Sequence, residues 1–103
     1  PAAHEALGFV YFNKGDYRQA GQHYQQIVQL SPDNATYRNS LGSIYLMLEQ
    51  YQEAIQQLKV AAELAPENPE IYRNLATAYQ QAGEKKLAEE TSWQYQKLIA
   101  PVE

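Results

Sequence analysis

The chain has 103 residues, with 8 Lys and Arg against 12 Asp and Glu, a formal charge of -4 and no Cys. That length buries one modest core and leaves no room for a second domain or a deep substrate cavity, and the missing Cys removes disulfides, thiolate metal sites and Cys nucleophiles. With 45% hydrophobic and 19% charged residues the chain is neither disordered nor fibrous, and its short apolar runs fall far below the roughly 20 residues that span a bilayer.

In chain order, His4, Leu7, Gly8 and Tyr11 repeat at the spacing of one helix face. Asn13-Lys14-Gly15-Asp16 reads as a turn, with Asp16 as helix N-cap and Gln19 as its capping-box partner. Tyr17, Ala20, Tyr24, Ile27 and Leu30 form the face of a second helix, which stops before Pro32 because the residue preceding proline is pushed out of the helical region. The sequence then starts again: Leu41, Gly42 and Tyr45, a turn at Leu48-Glu49-Gln50, a helix carrying Tyr51, Ala54, Leu58, Ala61 and Leu64, and Pro66. A third pass gives Tyr72, Leu75 and Tyr79, a turn at Ala82-Gly83-Glu84, and a last helix with Ala88, Trp93, Tyr95, Leu98 and Ile99.

Slid against itself by 34 residues, the chain superposes Leu7, Leu41 and Leu75, then Tyr11, Tyr45 and Tyr79, then Ala20, Ala54 and Ala88, then Leu30, Leu64 and Leu98. Such a period is the signature of stacked supersecondary units, here 1–34, 35–68 and 69–102, each an antiparallel helix pair. Glycine inside a helix costs about 1 kcal/mol relative to alanine, so Gly8 and Gly42 imply close approach of two backbones. The expected partners are Ala20 and Ala54 on the second helix, with Tyr24 or Leu58 at the shoulder.

These residues resemble the tetratricopeptide repeat pattern. Leu7-Gly8, Tyr11, Gly15-Asp16-Tyr17, Ala20, Tyr24, Leu30 and Pro32 fit it, as do Leu41-Gly42, Tyr45, Tyr51, Ala54, Ala61 and Pro66. The third unit departs from it, with Lys85 at the position of Tyr17 and Tyr51, Ser92 at that of Tyr24, and Pro101 one residue late. The resemblance implies an all-α fold, a right-handed α-solenoid of three antiparallel helix pairs in a single domain over 1–103. It implies a protein-interaction scaffold whose concave groove holds a peptide or amphipathic helix of a partner. By the same resemblance the groove is lined by Glu5, Phe9, Phe12 and Asn13, then Asn39, Ser43, Leu46 and Met47, then Glu70, Arg73, Thr77 and Gln80, with Ala2, Thr36 and Gln81 beside them. Phe9, Phe12, Leu46 and Met47 carry a second reading as packing residues, since Met at helical spacing also fills cores.

Family members that grip acidic chaperone tails use a clamp of Lys, Asn, Asn, Lys and Arg. Here the matching positions are Glu5, Phe9, Ser40, Glu70 and Asn74. An anionic tail would meet carboxylates in place of two cations, so a tail-binding clamp is not expected.

Other functions find little support. His4 and His23 lie far apart on different helices with no metal-ligand spacing, so no metal or other cofactor is expected. No catalytic constellation stands out, and Glu89-Glu90 and Glu63 with Glu67 read as solvated carboxylates; the chain is not read as an enzyme. The units carry charges of -1, -2 and -1 (2 cations against 3 anions, 2 against 4, and 4 against 5 with Glu103 counted in the third), which disfavours nucleic acid. The chain begins at Pro1 without a leader pattern and is expected to be a processed protein or a domain of a larger one. Its last helix is more apolar than an inward stripe requires. Trp93, Tyr95 and Ile99 are therefore the candidate edge for an alternative role, an assembly module forming a homo-oligomer through terminal helices or stacking on further repeats.

Overall fold

The computed structural model describes residues 15–100, and these form five helices with no strand among them: α1 (Tyr17–Leu30), α2 (Ala35–Met47), α3 (Tyr51–Leu64), α4 (Pro69–Gln81) and α5 (Lys85–Ile99). Each helix packs on its neighbours in sequence, and α2 also touches α4. The two hairpins α2–α3 and α4–α5 thus stack, with α1 against α2, as an all-α helical-repeat solenoid.

The helix boundaries follow from local chemistry. Asp16 accepts the Gln19 backbone N–H at 3.2 Å, Asn34 accepts that of Tyr37 at 3.0 Å, and Asn68 accepts that of Glu70 at 3.0 Å with Pro69 opening the helix. The starts of α3 and α5 have no side-chain cap. Their N-cap residues are also the last residues of the preceding turn. The Gln50 N–H donates to Tyr45 O at 2.8 Å and the Glu49 N–H to Leu46 O at 3.0 Å; Glu84 to Tyr79 O at 2.9 Å and Gly83 to Gln80 O at 3.1 Å repeat the arrangement. Both are Schellman motifs, which require a left-handed residue just past the helix. Gly83 takes φ 81°, and Glu49 takes the same role at φ 61°.

The buried interior runs through the seams between helices, with Ala20, Ile44, Ala54, Leu58, Ala61 and Ile71 all inaccessible to solvent. A Cβ on Gly42 would lie 2.5 Å from Leu58 Cγ and 2.7 Å from its Cδ2. Close approach is therefore real, but the side chain opposite Gly42 is Leu58, where the sequence reading put Ala54 across and Leu58 only at the shoulder. Ala54 is fully buried nonetheless. Between hairpins, Arg38 donates from Nε to Pro32 O and from a terminal nitrogen to Gln57 Oε1, both at 3.0 Å, tying the α1–α2 loop to α3. His23, read from sequence as solvated, is half-buried. His4, Leu7, Gly8, Tyr11 and Pro101 lie outside the described residues.

Candidate functional site: the groove along the first helices

The helices α2 and α4 lie side by side, each the first of its hairpin. Asn74 Nδ2 donates to Asn39 Oδ1 at 3.0 Å and bridges them. Beside the bridge a pocket of about 230 Å³ opens between Tyr24 of α1, Asn39, Ser40, Ser43 and Ile44 of α2, and Glu70 and Asn74 of α4. Small side chains at Ser40 and Ser43 border this space, and Tyr24, 8% exposed, contributes an apolar edge, while Ile44 lies beneath it with no solvent exposure. The lining contains one carboxylate and no cation.

Further along the groove, Arg73, Thr77, Gln80 and Gln81 of α4 face Ser92, Tyr95 and Gln96 of α5 across a second concavity of about 470 Å³. Glu70 and Arg73 approach to 3.9 Å, but both side chains are 61% exposed, so the pair contributes little. Thr77 turns its hydroxyl inward, donating to Arg73 O at 3.0 Å. Tyr79 has its pKa raised, first by burial and then by the Glu84 charge; it lies in the core and lines neither concavity. Among the described residues no group of His, Asp and Glu could hold a metal ion, and no helix is long and apolar enough to cross a membrane.

Of the residues expected in the groove, Asn39, Ser43 and Glu70 line the first pocket, and Arg73, Thr77 and Gln80 line the second. Leu46 is half-buried against the core, whereas Met47 is 54% exposed; neither lines a pocket named here. Glu5, Phe9, Phe12 and Asn13 lie outside the described residues. Tyr24 was legible only as a core position. Its 8% exposure at the first pocket, beside the small Ser40 and Ser43, is not something helix periodicity alone distinguishes.

The residues of the expected self-association edge do not share one patch. Trp93 is 61% exposed, with the Lys97 ammonium 4.5 Å from its ring centroid, and lines a hollow with Glu89, Glu90 and Gln94. Tyr95 and Ile99 instead meet Pro69, Glu70 and Arg73.

The chain matches the tetratricopeptide repeat family over residues 1–67 and a second model of the same repeat over 45–91. No curated protein matches its sequence. Among solved structures it is similar to the TPR2B domain of yeast Sti1 in a complex with pHsp70, at TM-score 0.90 and 25% identity, covering 96% of this chain and 79% of that one. A mutant of MamA is similar at TM-score 0.92 and 25% identity, covering 97% and 73%. The type III secretion translocator chaperone SycD of Yersinia enterocolitica is similar at TM-score 0.91 and 25% identity, covering 96% and 68%. With two stacked hairpins, a repeat spanning both family matches and these structural neighbours, the chain belongs to the tetratricopeptide repeat family.

Proposed function

We propose that this chain is a three-repeat interaction domain, with units 1–34, 35–68 and 69–102, which holds a peptide segment or amphipathic helix of a partner protein in its concave groove. The observation that carries the reading is the pocket beside the Asn39–Asn74 bridge, where amide and hydroxyl groups surround the exposed edge of Tyr24. Such a mixture suits an apolar side chain on a backbone that can hydrogen-bond at the rim. The occupant is not an acidic chaperone tail. The yeast Sti1 domain is solved with pHsp70, but here the clamp positions carry Glu5, Phe9, Ser40, Glu70 and Asn74, which supply no cation and two carboxylates. An incoming carboxylate would be repelled by Glu70 without compensation from the pocket lining.

Peptides selected from a random display library on the immobilised chain test this reading. They are expected to be poor in acidic residues and to lose at least about tenfold in affinity, roughly 1.4 kcal/mol, on Ser43→Arg, which fills the pocket without disfavouring helix. An acidic tail peptide that binds the unaltered chain as well as the selected peptides do, or selected peptides indifferent to Ser43→Arg, would contradict it.

A further inference from the structure

On the far side of α2 from the groove, residues of α1, α2 and α3 line a recess of about 400 Å³. Along α2 the residues of the two sites alternate: Asn39, Ser40 and Ser43 line the groove pocket, whereas Arg38, Leu41 and Tyr45 line the recess. At 3.6 residues per turn these two sets fall on opposite sides of the helix.

The recess is built around one cation. Arg38 is half-buried, and its guanidinium is held by the bonds from Nε to Pro32 O and from Nη1 to Gln57 Oε1. The other terminal nitrogen, Nη2, has no protein partner, and since no buried side-chain polar atom among the described residues lacks one, it reaches solvent. The guanidinium forms no ion pair either; among the described residues the one such pair is Glu70 with Arg73. Asp33 and Glu53, the carboxylates nearest in sequence to its two anchors, do not line the recess. Beside the cation, Val28 and Tyr45 each show a narrow edge, 7% and 8% exposed, and the Gln25 amide donates to the Tyr45 hydroxyl at 2.6 Å.

This arrangement is not repeated 34 residues on. There Tyr72 and Thr91 stand where Arg38 and Gln57 do, and the Thr91 hydroxyl donates to Leu87 O of its own helix at 2.7 Å. Lys59 and Glu63, of opposite charge, replace Gln25 and Gln29. A fixed guanidinium among uncharged neighbours therefore belongs to the gap between α1 and α3 alone.

We propose that this recess is a second binding site, which takes an aspartate or glutamate side chain, flanked by an aliphatic residue, from a segment of a partner protein. The carboxylate gives Nη2 a charge-assisted hydrogen bond and supplies the missing counter-charge. The aliphatic neighbour covers the edges of Val28 and Tyr45. Gln25, Gln29 and Pro32 are exposed at the mouth, so the recess is too open to surround a small molecule as ligand pockets do, whereas a stretch of chain fits along it. The groove pocket, with Glu70 and no cation, has the opposite charge preference. A single charge in an open recess holds a segment weakly, so the site adds to contacts made elsewhere on the chain, and peptides selected for tight binding still go to the groove. The inference is independent of what the groove binds.

A nitrogen-15 NMR titration at low salt tests it, with two capped pentapeptides in which leucines flank a central aspartate or its neutral isostere asparagine. The aspartate peptide is expected to shift the Arg38 Nε–H saturably and to bind at least about fivefold more tightly than the asparagine peptide, roughly the worth of one ion pair. The Ser43 amide in the groove is expected to stay still. Arg18, exposed on α1, controls for unspecific attraction, and its Nε–H is expected to need at least about fivefold more peptide. Arg38→Gln is expected to abolish the response of the Gln25 and Gln29 side-chain amides. Equal response to the two peptides, Arg38 titrating together with Arg18, or undiminished binding by Arg38→Gln would overturn the proposal. Shifts at Ser43 in place of Arg38 would overturn it and contradict the groove reading as well. If Arg38→Gln loses helicity by loosening the α1–α2 loop, the comparison of the two peptides on the unaltered chain decides.

Discussion

Two backbone positions show how single residues hold this repeat. Gly42 sits where α2 meets α3 so closely that a methyl group would lie 2.5 Å from Leu58 Cγ, a branched carbon near the backbone that cannot swing aside cheaply. Alanine would gain about 1 kcal/mol in helix propensity but would overpack the seam by about 1–3 kcal/mol, and leucine more. Gly42→Ala is expected to lower the urea midpoint modestly and Gly42→Leu to abolish cooperative unfolding. Adding Leu58→Ala to Gly42→Ala should cost less than the sum of the two single changes, because the second removes the atoms the first strikes. A midpoint for Gly42→Leu equal to that of the unaltered chain would refute this packing. Glu49 illustrates the opposite case. It adopts φ 61° where the matching residues are Gly15 and Gly83, at φ 77° and 81°. A side chain in this conformation costs about 1–2 kcal/mol, so Glu49→Gly is expected to stabilise the domain by about 1 kcal/mol, and Gly83→Ala to destabilise it by a similar amount. Thermal unfolding checks both; a lower melting temperature for Glu49→Gly would contradict the account.

At the scale of helices and turns, most boundaries were legible because they are written in local chemistry. Asp16 announces α1, and Pro32 and Pro66 fix where α1 and α3 stop. Asn34 recurs 34 residues on as Asn68, and its meaning as an N-cap emerges only with the backbone N–H groups of Tyr37 and Glu70 in place. The left-handed turn at Glu49 was hidden, since glutamate carries no preference for that conformation and only its register with Gly15 and Gly83 betrays it. Trp93 shows a different limit. An aromatic residue in an apolar helix reads as core or edge, and only the structure puts it on the side of α5 away from buried Ala88 and Thr91, with Lys97 over its ring. An exposed cation–π contact of this kind contributes about 0.5–1 kcal/mol and gives the ring a local partner.

For the molecule as a whole, the 34-residue period determines the architecture, since a helix pair that cannot bury its own apolar face must stack on a copy of itself. Groove chemistry was less legible. Periodicity marks which residues face inward, but that Tyr24 shows an edge beside the small Ser40 and Ser43 emerges only where α1, α2 and α4 come together. The central claim is that the groove across α2 and α4, rather than the outer side of α5, receives the partner. The most direct measurement is a nitrogen-15 NMR titration of the chain with a peptide selected on it, following the Asn39 and Asn74 side-chain amides, the Ser43 backbone amide and the Trp93 indole N–H. The account predicts saturable shifts at Asn39, Ser43 and Asn74 with the Trp93 signal unmoved; shifts confined to Trp93 and its neighbours on α5 would contradict it.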